Sequence, residues 1–163
     1  MVQFKNRYMV IEVMINGSKD SSGNDPIIVT EYNLLKAIKD KILLNFGECG
    51  LALSLGSLQG ILFYTCALVK YVNPSTRLCV IRTSRDDYQK IWAAMTMVKS
   101  IGKCPITLNL LALSGTIKAC KSAALKCEEA KFEEYKLEVG NLITPERLSQ
   151  IRSYSEKIKM LEN

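Results

Sequence analysis

Between Phe4 and Ile15 apolar residues fall on both parities: Phe4, Tyr8, Val10 and Met14 on one, Met9, Ile11, Val13 and Ile15 on the other. A strand wet on one side would alternate, so this stretch predicts an internal strand covered on both faces. The polar run NGSKDSSGND over 16–25 interrupts the pattern and predicts a loop. Thr30 then stands as a helix N-cap ahead of Leu34, Leu35, Ile38, Ile42 and Phe46 at helical spacing, and Gly47 is placed to end that helix in the left-handed region. From Leu51 to Val72 the chain is apolar and β-leaning, broken by Gly56 and Gly60. Asn73-Pro74-Ser75 predicts a turn, because proline presets the first central φ. It joins a strand ending near Val72 to one over Leu78–Ile81 as an antiparallel hairpin.

A helix follows from about Asp86 to Ser100, with Tyr88, Ile91, Trp92, Met95 and Val98 on its inner face and Gly102 at its end. Pro105 and the run ITLNLLAL make a last strand. Ser114-Gly115 turns into a helix from Thr116 to Val139, with Ile117, Cys120, Ala124, Cys127 and Tyr135 as its apolar stripe. A final helix starts at Thr144-Pro145-Glu146, with Thr as cap, Pro in the first turn, and Ile143 and Leu148 spaced as a hydrophobic staple. The order strand–helix–strand–strand–helix–strand is the split β-α-β arrangement. The expected fold is an α/β (α+β) sandwich with a four-stranded antiparallel sheet of the RRM-like or ferredoxin-like kind, plus extra C-terminal helices. Residues 1–140 form the RRM-like domain and 141–163 a helical extension. The two last helices are expected to cover the sheet, to dock a partner, or to lie solvated on the surface.

Composition narrows the chemistry. The 163 residues suffice for one domain with its own core. The longest apolar run, Gly60 to Val69, is ten residues, too short to cross a membrane. The opening MVQFKNRYMVIEV lacks the build of a secretory signal, so an intracellular protein with no membrane partner is expected. Six cysteines without a C-x-x-C pair read as reduced and mostly buried thiols. There is no histidine, which removes Ser-His and Cys-His nucleophilic pairs and any Cys/His zinc site. No catalytic residue, metal ligand or bound cofactor is expected. The net charge of +6 is uneven: residues 1–121 carry fifteen Lys/Arg against eight Asp/Glu, and 122–163 carry seven against eight. A basic globular part fits a phosphate-facing surface. GSLQGILFY (56–64) is similar to the acylphosphatase signature, but Tyr64 replaces its arginine and the loop follows the first helix instead of preceding it. Acyl-phosphate hydrolysis is therefore expected to be absent.

A second resemblance spans roughly residues 1–127. Met1-Val2-x-Phe4-Lys5-x-Arg7-Tyr8 with Glu12, then Phe46-Gly47, then Val69-x-Tyr71-x-Asn73, then the aliphatic strand ending in Arg82 with Arg85, Tyr88 and Trp92, and last Ser114-Gly115-Thr116-Ile117-Lys118 occur in order. Together they resemble the Pop-five protein subunit family of nuclear ribonuclease P and ribonuclease MRP. The resemblance implies an RRM-like fold and a non-catalytic subunit of an RNA-based endoribonuclease. Such a subunit helps hold the ribonuclease P RNA, whose particle removes the 5′ leader of precursor tRNA, and the MRP RNA, whose particle processes ribosomal RNA precursors. It touches precursor tRNA only indirectly. Magnesium is expected in the RNA active site. The implied protein neighbours are a TIM-barrel-like subunit and a second RRM-like subunit, and the implied location is nucleus and nucleolus.

Within that frame Lys5 and Arg7 begin the first strand while Arg82 and Arg85 end the third, and in a split β-α-β sheet those two strands are the central antiparallel pair. The two basic pairs then share one end, with Lys118 and Lys121 extending the patch after the fourth strand. Guanidinium forks suit phosphate oxygens, and lysines act as point charges. Each could also be a solvated surface charge. Tyr8 and Trp92 read as core instead of base-stacking aromatics, and few aromatics favour shape and phosphate recognition over sequence readout. A generic RRM-like interaction or dimerisation module without an RNA role stays open beside this reading. Gly60–Leu68 (GILFYTCAL) is extra to the family pattern. Our hypothesis is a splice variant or a retained short intron, which sequencing transcripts across that junction would sink by finding the segment always present.

Overall fold

The structure is a computed structural model that describes residues 5–16, 29–56, 69–139 and 145–161. Its elements run β1 (Asn6–Ile15), α1 (Glu31–Gly56), β2 (Val69–Asn73), β3 (Leu78–Ser84), α2 (Tyr88–Thr96), β4 (Ser100–Ile101), β5 (Cys104–Ser114), α3 (Ile117–Val139) and α4 (Pro145–Lys159). The sheet order is β2-β3-β1-β5-β4, with every pairing antiparallel. Without β4 this is the ferredoxin-like order expected from the chain, and β1 is indeed internal.

The fifth strand is an addition. Gly102 takes φ 59 and lets a two-residue loop pair Ser100 with Pro105 and Ile101 with Cys104. The second helix accordingly stops at Thr96, and Gly102 turns a hairpin instead of ending that helix. β4 covers only the first two residues of β5, so the rest of that strand is an outer edge among the described residues.

Several local signals act as read. Thr30 Oγ1 accepts the Asn33 amide at 3.2 Å, capping α1. Gly47 takes φ 69 and splits α1, and a Cβ there would touch nothing, so the dihedral rather than space demands glycine. The chain then resumes a helix to Gly56, which corrects the strand expected from Leu51. A short apolar run does not distinguish the two by period alone. Asn73 Oδ1 accepts the amides of Ser75 at 2.9 Å and Thr76 at 3.4 Å, closing the β2–β3 turn. The loop 16–25 and the segment Gly60–Leu68 lie outside the described residues, apart from Asn16, as do Thr144, Ile143 and the Tyr135 and Leu148 side chains.

The sheet is buried on both faces. On one, Met9, Ile11, Val13, Cys79, Ile81, Ile106 and Leu108 pack against Leu34, Ile38 and Ile42 of α1 and Ile91, Ala94 and Met95 of α2. On the other, Tyr8, Val10, Tyr71, Leu78 and Val80 pack against Cys120 and Ala124 of α3 and Ile158 of α4. The C-terminal helices are thus sheet covers. Tyr8 is core, 2% exposed, as expected. Trp92 is not: it is 42% exposed, and Ala94 takes the inward place assigned to it. Of the described cysteines Cys79 and Cys120 are buried, Cys104 and Cys127 half-buried and Cys49 exposed, fewer buried thiols than composition suggested.

Candidate nucleic-acid interface

The antiparallel register sets the basic side chains side by side. Asn6 lies opposite Ser84, Arg7 opposite Thr83, and Tyr8 opposite both Arg82 on β3 and Ser114 on β5. The Arg85 amide donates to the Lys5 carbonyl at 2.8 Å, extending the ladder past the strand ends. Lys5, Arg7, Arg82 and Arg85 therefore gather at one end of the two central strands, as expected. By alternation Arg82 shares the α3/α4 face with Tyr8, while Arg7 leaves from the other face. The pair straddles the sheet end.

Backbone features hold this arrangement. Ser84 Oγ accepts the Asp87 amide at 3.0 Å and donates to the Asp87 carboxylate at 2.7 Å. That closure leaves Arg85 and Asp86 exposed on the turn into α2, while Lys90 binds Asp87 at 3.1 Å. Arg7 Nη1 donates to the Asn6 carbonyl at 3.2 Å and lies 3.2 Å from where a Cβ on Gly115 would sit. Gly115 thereby gives the guanidinium room beside the β5–α3 turn. Thr116 Oγ1 caps α3 at the Ala119 amide, 3.2 Å, and sets exposed Lys118 in the helix's first turn at this same end.

Lys121 has a different setting. Its ammonium donates to the Lys159 carbonyl at 2.8 Å, closing the last turn of α4. A cation there complements the helix dipole, so this lysine ties α4 to α3. Among the described residues the ion pairs draw on Lys90, Lys131, Lys136 and Lys159. The six cations singled out from sequence are not among them.

A seventh basic residue was missed. Lys70 lies at the start of β2, which runs antiparallel to β3, so it stands at the same end. Burial first, then the neighbouring Arg82 charge, push its ammonium below the ordinary lysine value. Nothing local in VKYVN announces this, because the neighbour comes from another strand.

The opposite half of the α3/α4 face is polar and closed. Glu128 of α3, buried, accepts hydrogen bonds from Tyr71 Oη and from Asn73 Nδ2, the latter at 2.9 Å. Burial and the Glu128 hydrogen bond drive the Tyr71 phenol well above its ordinary value, so it stays a donor. Lys131 bridges to Glu12 on β1 at 2.7 Å. Tyr154 of α4 stands edge-on to Tyr71, centroids 6.3 Å apart. The surface on which many RRM-like sheets stack bases is therefore occupied by the chain's own helices. What stays open is the basic sheet end.

A family model described as the Rpp14/Pop5 family matches residues 7–125. The chain is 52% identical over 164 aligned residues to a probable ribonuclease P/MRP protein subunit of Arabidopsis thaliana, covering 100% of both chains. It is 30% identical to a ribonuclease P/MRP protein subunit of Schizosaccharomyces pombe, covering 87% of this chain and 94% of that one. A chain in the cryo-EM structure of yeast ribonuclease MRP superposes at TM-score 0.48 and 14% identity, over 83% of this chain and 95% of that one.

Proposed function

The chain belongs to the Rpp14/Pop5 family, and from that premise we propose that it is a protein subunit of ribonuclease P and ribonuclease MRP which binds RNA and breaks no bond itself. The observation that carries this is the whole-length kinship with the Arabidopsis subunit. The geometry supports a mode: phosphates meet the sheet end through Lys5, Arg7, Arg82, Arg85 and Lys118, while α3 and α4 occupy the face that would otherwise stack bases. Lys121 serves mainly the fold, through Lys159. The protein stabilises the catalytic RNA, and cleavage with its magnesium belongs to that RNA. Among the described residues no group of three or more His, Cys, Asp or Glu is placed to hold a metal ion.

The protein neighbours in this reading are a TIM-barrel-like subunit and a second RRM-like subunit, and the particle works in nucleus and nucleolus. Exposed Leu44 of α1 and Trp92 of α2 supply apolar area for such contacts. The test is recovery of the tagged chain from nuclear extract. Ribonuclease P and MRP RNAs and precursor-tRNA cleavage should accompany it, and RNA recovery should fall for Arg82→Ala with Arg85→Ala. Recovery of neither RNA with the unaltered chain would refute the reading.

A further inference from the structure

We propose that Lys70 and Arg82 form a two-residue clamp for a single RNA phosphate, set by an irregularity in the β2–β3 ladder. This rests on the RNA-subunit reading above and adds a binding residue to it. Val69 pairs with Ile81 but Tyr71 pairs with Val80, so Lys70 is the extra residue of a bulge. A bulge redirects a side chain that regular pairing would fix. Here the redirected side chain is a lysine, and its electrostatic neighbour is Arg82, the last charged residue of β3.

Holding two cations together in a half-buried setting costs folding free energy unless an anion relieves it. No carboxylate does so among the described residues, since none of the ion pairs includes Lys70 or Arg82. Asp87, three residues past the end of β3, is turned to Ser84 and Lys90. Glu128 serves Tyr71 and Asn73 toward the far end of β2. Asp86 sits on the exposed turn after Arg85. A phosphodiester brings one full charge and two free oxygens, enough for the guanidinium fork and the ammonium together.

The experiment measures binding of the purified full chain to a transcribed ribonuclease P RNA across a salt series, for the wild type, Lys70→Gln, Lys70→Arg and Arg82→Ala. Lys70→Gln should lose about fivefold to tenfold in affinity near 0.1 M salt and flatten the log–log salt slope by about one unit. Lys70→Arg should restore both. Melting of Lys70→Gln at low salt should be no lower than wild type, because a like-charge contact is removed; a lysine serving only the fold would lower it. An unchanged slope for Lys70→Gln, with a reduced one for Arg82→Ala, overturns the clamp and keeps the RNA reading. Unchanged slopes for both overturn the basic end as an RNA contact. Loss of capture by protein subunits with RNA binding intact would assign the pair to an acidic protein surface and overturn the clamp as well.

Discussion

Beneath α1 and α2 the sheet meets aliphatic side chains almost throughout, with Ile38, Ile42, Ile81 and Ile91 no more than 1% exposed. Beneath α3 and α4 it meets a smaller apolar set and a buried carboxylate. Glu128 faces Tyr71 and Asn73, Lys131 reaches Glu12, and Lys121 closes the end of α4. The first layer is held by area, which is non-directional and tolerant of small shifts. The second is held in part by directional bonds that work at one register and leave costly orphans at any other. One side makes the fold; the other sets where the covering helices lie, and so which part of the sheet is left uncovered.

Variants can break this comparison. Ile38→Ala, on the apolar layer, should cost about 2–5 kcal/mol in denaturant unfolding, through lost transfer energy plus a cavity. Glu128→Leu should cost less, about 1–3 kcal/mol, by stranding the Tyr71 hydroxyl and the Asn73 amide. Adding Tyr71→Phe should recover part of that loss, since an apolar pair leaves one fewer orphan donor. If the double variant were simply additive, the carboxylate would not be the organising contact of that layer.

The smallest effect sharpens the contrast by pH. Burial pushes the Cys120 thiol, on the polar layer, up to about 11 from an ordinary 9.0. The unfolded chain releases that proton above about pH 9 while the folded chain keeps it. Stability should therefore fall as pH rises from 9 toward 11, by up to about 1.4 kcal/mol per unit for this one group. Cys79 acts in the same direction, pushed up to about 12 by burial and then by Glu128. Melting curves from pH 7 to 11 should show a shallower decline for Cys120→Ala than for the wild type.

What was legible in the chain was local chemistry. The two-parity pattern of β1, the Thr30 cap, the left-handed Gly47 and the Asn-Pro turn each depend on neighbours within a few residues, and each is present. The shared end of Lys5, Arg7, Arg82 and Arg85 followed from topology, because antiparallel pairing dictates it once the order is known. Features set by distant partners were not legible. Trp92 has helical spacing fit for a core, but the packed face of α2 reaches only Ile91, Ala94 and Met95. The bulge at Lys70 exists only against β3, and the partner of Lys121 is 38 residues away. A two-residue strand such as β4 has no period to read.

The central place of β1 also has a meaning in time. It is the first strand made, yet its partners are β3 and β5, the latter ending at Ser114. At ribosomal speed the roughly 100 residues between Ile15 and Ser114 take about 5–20 s to appear. Through that interval a strand with apolar residues on both faces waits with at least one side unpaired, so synthesis itself is the stage at which a chaperone has most to do.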